Sequence, residues 1–227
     1  MNRGPGAGPA GVLLGALVRY TGRADGDLRP AEPGGAARLR EAAGRPVAWL
    51  RQVHGDHVVV ADGDPLPAGE EGDALVTTRA GVALAVLTAD CAPVALASPE
   101  GVVGAVHAGW AGLAAGVVGR AVEAMGALGA SRVDASLGPC IHPECYEFGA
   151  ADLDRVAARL GDAVRGTTAA GRPALDLPAA VETALRAAGA GLVADAGVCT
   201  ACQPARYFSH RARGEAERQA TFVWTAA

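Results

Sequence analysis

The chain has 227 residues, a mass of 22.6 kDa and 50% hydrophobic residues, which is enough to bury a core in one domain and excludes disorder as the default. Its formal net charge is -4 and all 20 basic residues are Arg, so Lys nucleophiles and Schiff bases are excluded, and no basic stripe marks a nucleic-acid partner. No window approaches the roughly 20 apolar residues of a membrane span, and five Cys without a secretory pattern argue against a disulfide framework, so a cytoplasmic protein, favoured as a monomer, is expected.

In chain order, residues 1–35 read as a divergent Gly- and Pro-rich N-terminal segment with a strand-like stretch at Val12–Tyr20 and turns from Gly22 to Gly35. A helix is predicted over Ala36–Ala43. Strands then follow at Val47–Leu50, His57–Ala61, Ala74–Thr78, Val82–Leu87, Val94–Ala97 and Val102–Val106, short runs rich in Val, Leu and Ala and bounded by Gly, Asp or Pro. From Gly109 to Leu128 the spacing of Leu113, Val117, Val118, Val122 and Met125 predicts one long helix stopped by Gly129. Val133–Leu137 reads as a strand, Ala150–Leu160 and Pro178–Ala188 as helices, and Leu192–Val198 and Thr221–Thr225 as closing strands. With neither repeat nor long linker, the expected fold is α+β, a mixed β-sheet core flanked by helices, one domain over 1–227 with its main body at 36–227.

Three segments put metal-binding side chains at ends of apolar strands: Arg51-Gln52-Val53-His54-Gly55, Thr88-Ala89-Asp90-Cys91-Ala92-Pro93 and His107-Ala108-Gly109-Trp110. Singly, each His or Cys also reads as a packed or hydrogen-bonded strand residue. Together, His54, Cys91 and His107 make a three-ligand zinc set with one position left for water or substrate.

The run DALVTTRAGVALAVLTADCAPVALASPEGVVGAVHAGWAG from Asp73 to Gly112 resembles the signature of the laccase-domain family, also called polyphenol oxidase-like, YfiH-like or peptidoglycan editing factors. RQVHG upstream, LGPCIHPECYEFG from Leu137 to Gly149 and RYFSHRARG from Arg206 to Gly214 fall in the family's order. The resemblance implies zinc held by the catalytic residues His54, Cys91 and His107 in an enzyme that phosphorolyses purine nucleosides, methylthioadenosine among them, and deaminates adenosine. Purine nucleoside and phosphate are then its partners, with neither nucleic acid nor membrane. Five His are too few for a multicopper oxidase. The chain departs from the family pattern at Ala111 and Ala212, where relatives carry Arg, and in a shortened Tyr20-Thr21-Gly22-Arg23 remnant.

Arg51, Asp73 and Arg211 are expected as substrate contacts and Asp90 as a supporting acceptor beside Cys91, against readings as salt-bridge partners or strand caps. Gly109 and Gly112 open a helix whose amides would suit phosphate, or simply allow close packing. Cys140, Cys145, Cys199 and Cys202 form a rival metal set through C-x4-C and C-x2-C spacing. His57, His142, His210 and Trp110 read first as packing or hydrogen-bonding residues. The competing functions are a cysteine hydrolase or amidase of peptidoglycan precursors, with Cys91 as nucleophile and His107 as base, and a zinc-stabilised binding module without turnover.

Overall fold

The computed structural model describes residues 10–226. The chain opens with β1 (Ala10–Leu13), β2 (Ala16–Tyr20), α1 (Gly35–Ala43), β3 (Val47–Arg51), β4 (Val58–Val60), β5 (Ala68–Glu71) and β6 (Ala74–Thr77). It continues through β7 (Ala83–Thr88), β8 (Ala92–Ala97), β9 (Val103–Ala108), α2 (Trp110–Ala115), α3 (Val117–Ala127), β10 (Asp134–Leu137) and α4 (Ala150–Leu160). The rest is β11 (Arg165–Thr167), β12 (Pro173–Leu175), α5 (Leu177–Ala187), β13 (Gly191–Asp195), α6 (His210–Arg213) and β14 (Gln219–Thr225).

The expected mixed β-sheet core is built from two sheets. One has the order β1-β2-β14-β7-β3-β5 and the other β13-β10-β8-β9-β6-β4, each mixing parallel and antiparallel neighbours, while β11 and β12 form a separate hairpin. Alternation along the strands explains the stacking, because successive side chains of a strand point to opposite faces. In β7, Leu84 and Val86 face inward toward Leu75, Ala95, Val103 and Ala105 of the other sheet, whereas Ala83, Ala85 and Leu87 face outward under Leu39 and Ala43 of α1. The outer face of the second sheet, with Val76, Val94, Leu96 and Val106, packs on Leu113, Met125, Leu153 and Leu185 of α2 to α5. The result is an α+β domain of four layers, helix, sheet, sheet and helices. The first described residues belong to it, since β2 pairs along β14 and Leu13, Val18 and Leu28 are buried.

Two predicted elements are divided. The stretch expected as one strand at Val12–Tyr20 is a hairpin turning at Leu14 and Gly15, both at positive φ (46° and 83°), as a two-residue hairpin loop requires. The helix expected from Gly109 to Leu128 breaks at Gly116, whose φ of 105° ends α2 and starts α3. Three strands and α6 appear where no expectation stood. Among the described residues no helix is long and apolar enough to cross a membrane.

Candidate metal centre

The site forms where the ends of the two sheets meet. β7 belongs to the first sheet and β8 to the second, so the chain crosses between them in Ala89-Asp90-Cys91. Asp90 absorbs the corner with a φ of 93°, a left-handed conformation that Asp tolerates better than most residues. β8 then runs antiparallel to β9 with Pro93 opposite His107 and Ala92 opposite Ala108, which brings Cys91 alongside His107 and Gly109. His107 continues the inward row of Val103 and Ala105. His54 comes from the other sheet, on the turn after β3, at a φ of 61°.

The donor atoms of His54, Cys91 and His107 lie within 4.8 Å of one another. Cys91 Sγ is 3.8 Å from His54 Nε2, and the two imidazoles meet edge to face with centroids 4.7 Å apart. His107 is buried and Cys91 half-buried, while His54 is exposed. Gly109 makes the approach possible: a Cβ there would lie 2.8 Å from His54 Cδ2 and 3.3 Å from Cys91 Sγ.

Asp73 organises this arrangement from behind. Its Oδ1 accepts from His107 Nδ1 at 2.8 Å and from the His54 amide at 2.9 Å. Its Oδ2 accepts from the amides of Gly55 at 2.8 Å and Val53 at 3.2 Å. One carboxylate therefore fixes the turn that carries His54 and sets His107 with its proton on Nδ1, leaving Nε2 as donor atom, a common arrangement for a metal-binding His. Burial raises the Asp73 pKa, but the His107 hydrogen bond and the amides outweigh it and hold the carboxyl below its ordinary range. Burial opposes charge on both Cys91 and His107, yet in the metal-free protein each stabilises the other: the His107 charge and hydrogen bonds from His107 and His54 bring the thiol down to about 6, and Cys91 with Asp73 raises the imidazole to about 9, so Nε2 serves as a donor atom once that extra proton has left. A thiolate ligand is thus available at neutral pH.

The three ligands stand at one end of a cavity of about 870 Å³. Its walls include Trp49, Leu50 and Leu87, with Arg51, Arg29 and Arg218 contributing positive charge. Arg51 is exposed and paired with Glu71. The structure brings neither Asp73 nor Arg211, both expected as substrate contacts, to the cavity lining. Asp73 is fully buried with its oxygens occupied, and the Arg211 guanidinium donates to the Glu147 carbonyl at 2.6 Å and lies over the Tyr146 ring. Ala111 is not a lining residue either. Asp90 accepts from Thr200 Oγ1 and from the Arg211 amide, both at 2.6 Å, so its partners are a turn hydroxyl and an amide of α6 rather than a ligand His.

Two lining residues escaped the sequence reading. Thr88 has a buried hydroxyl with no hydrogen-bond partner among the described residues, and it borders the cavity. His210 also lines it, and its Nδ1 lies 3.2 Å from the Glu215 carbonyl, which can only accept, so the proton sits on Nδ1. Nothing in local spacing signals either; His210 lies 156 positions beyond His54.

Residues 31–226 match the family described as multi-copper polyphenol oxidoreductase laccase. A purine nucleoside phosphorylase of Streptomyces griseus is 43% identical over 211 residues, covering 85% of this chain and 82% of that protein. One from Mycobacterium tuberculosis is 43% identical over 205 residues, covering 88% of this chain and 81% of that protein. Among solved structures, YlmD from Geobacillus stearothermophilus superposes with a TM-score of 0.84 at 26% identity, covering 100% of this chain and 98% of its own. A Neisseria meningitidis protein superposes at 0.83 with 28% identity, covering 98% of each chain.

Proposed function

The chain belongs to the multi-copper polyphenol oxidoreductase laccase family, and on that premise we propose that it is a zinc-dependent purine nucleoside phosphorylase that also deaminates adenosine. The observation that carries this reading is a donor set of two imidazoles and one thiolate converging at the end of a cavity large enough for a nucleoside. The names of the similar Streptomyces and Mycobacterium proteins support the substrate class. Two neutral nitrogens and one sulfur suit zinc, and three protein ligands are the catalytic rather than the structural count.

Phosphorolysis breaks the bond between the purine and C1′ of ribose and forms one between C1′ and a phosphate oxygen. Adenosine, inosine and methylthioadenosine all present that bond. His54, Cys91 and His107 would hold the zinc, which would supply Lewis acidity when bound. The chain's own residues do the rest. Trp49, Leu50 and Leu87 offer an apolar wall for the base, and Arg51 supplies a guanidinium for phosphate once released from Glu71. His210, with its proton held on Nδ1, presents a bare Nε2 that can take a proton from the attacking dihydrogen phosphate, or in deamination from the attacking water, and pass that same proton to the departing purine or ammonia. Asp73 holds the geometry of His54 and His107 throughout.

The test is a coupled assay of the zinc-loaded protein on adenosine and inosine with and without phosphate. Free base released only with phosphate is expected; base release independent of phosphate, or none, refutes the proposal. The lowered Cys91 pKa beside His107 favours one second reading, a cysteine hydrolase acting on peptidoglycan precursors. A Cys91→Ser protein with zinc restored separates the two, because a nucleophile lost this way abolishes turnover even when the metal is bound.

A further inference from the structure

A second convergence of metal-binding side chains lies outside the cavity. Cys199 and Cys202 sit on a C-x2-C turn after β13, and Glu144 and Cys145 on the 3-10 turn Pro143–Cys145. One donor atom from each of the four lies within 4.8 Å of all the others. Cys145 Sγ is 3.3 Å from Cys202 Sγ, and Cys202 Sγ is 3.9 Å from Glu144 Oε1. For comparison, tetrahedral bonds of about 2.3 Å to sulfur separate two sulfurs by about 3.8 Å. Cys199 is buried and its Sγ accepts from the His142 amide at 3.5 Å. His142 Nδ1 stands 3.8 Å from Glu144 Oε1, adding a further donor beside the acidic group.

We propose that Glu144, Cys145, Cys199 and Cys202 form a second zinc site, closed by four protein ligands and structural in role. Three thiols and a carboxylate complete a tetrahedral set without a water position, and such closed sites contribute folding energy rather than chemistry. A disulfide accounts for the cluster less well, because three mutually close thiols leave one over and give the carboxylate no part. Zinc here joins the two turns directly, where the backbone bonds lie just upstream at Cys140, which accepts from Thr200 N at 3.0 Å and donates to the Val198 carbonyl at 3.2 Å. Thr200 lies between the two cysteines of the C-x2-C turn and donates to Asp90, the neighbour of Cys91, so the second site steadies the corner that carries a ligand of the first. The sequence spacing pointed to Cys140 as the fourth ligand; the structure replaces it with Glu144. Cys140 is buried in the core under the helices, where desolvation pushes its thiol well up.

Zinc per chain, measured by elemental analysis on protein purified with a thiol reductant, tests this. We expect about two in the parent protein, one after Cys199→Ser with Cys202→Ser, and one after His54→Ala with His107→Ala. A parent protein with one zinc, lost with the two His and kept by the two-Cys variant, overturns the proposal. One zinc lost in the Cys variant and kept in the His variant sustains it while refuting zinc at the first centre, so the two readings fail separately. Misfolding of the Cys variant is controlled by loading cobalt into the His54→Ala, His107→Ala protein. Near-ultraviolet thiolate-to-cobalt charge transfer of an intensity matching three thiolates is expected, and its absence overturns the site. Intact mass showing a Cys145–Cys202 disulfide in protein that takes up no second metal overturns it as well.

Discussion

Replacing Asp73 with Asn isolates the group that ties both histidine ligands together. The side chain is fully buried and accepts four hydrogen bonds, two at each oxygen. An amide keeps one acceptor oxygen, so in either orientation its NH2 faces two N–H donors that lose their partner. Hydrogen bonds to a buried charged group contribute about 1.5–3 kcal/mol each, so two lost bonds amount to about 3–6 kcal/mol, a large part of the roughly 5–15 kcal/mol that holds a domain folded. Urea denaturation of the metal-free protein should show a lower midpoint with an unchanged slope, since the surface exposed on unfolding is the same. Chelator competition should show zinc affinity lowered about 10- to 100-fold, as loss of a partner to a ligand His does. The pH dependence follows from the lowered Asp73 pKa: its stabilisation is present above the unfolded carboxyl value of about 3.9 and fades as pH falls through the lower folded value. The parent protein should therefore lose more stability on acidification than the variant. A variant with parental midpoint and affinity would refute the role assigned to Asp73.

Gly109→Ala should spare the fold and damage the site, because a φ of -74° and ψ of 161° suit any residue while the new Cβ meets the far end of His54 and the Cys91 sulfur; an unaltered Tm with zinc affinity lowered at least about tenfold is expected. In the metal-free protein, iodoacetamide should modify Cys91 with a half-maximal rate near pH 6, and zinc should suppress it, whereas Cys145 and Cys202, whose pKa values are raised, react only at higher pH; a Cys91 rate rising only near the ordinary thiol value would refute the charge arrangement. Asp90→Asn should retain zinc but lower turnover about tenfold through the Thr200 turn and α6, which it anchors, and a protein with parental rate would reduce Asp90 to a corner residue. Arg51→Ala should raise the KM for phosphate with little change in Tm, because its Glu71 partner is exposed; an unchanged KM would remove Arg51 from the phosphate site.

Much of this protein was legible locally. The unbroken apolar run expected as a strand at Val82–Leu87 is a strand buried at every position, Ala83–Thr88, and the helix expected at Ala150–Leu160 is found with those bounds, burying Leu153, Val156 and Ala157. The ligand residues His54, Cys91 and His107 stood out because polar, metal-binding groups interrupt apolar strands at their ends. β5, with the sequence Ala-Gly-Glu-Glu, and β11 escaped because exposed, pairing-driven strands carry no apolar pattern, and β12, although Ala174 and Leu175 are buried, is a three-residue strand too short to show one. Alternation also could not divide the strands between two sheets, since it reports two faces without naming the neighbour on either. That division decided the site. Asp73 became the anchor of two ligands, Arg211 turned toward Glu147, His210 reached the cavity, and Glu144 rather than Cys140 came together with Cys145, Cys199 and Cys202. Each outcome joins residues far apart in the chain, and such meetings depend on strand pairing and sheet stacking, which the energetics of the whole core select and no local spacing encodes.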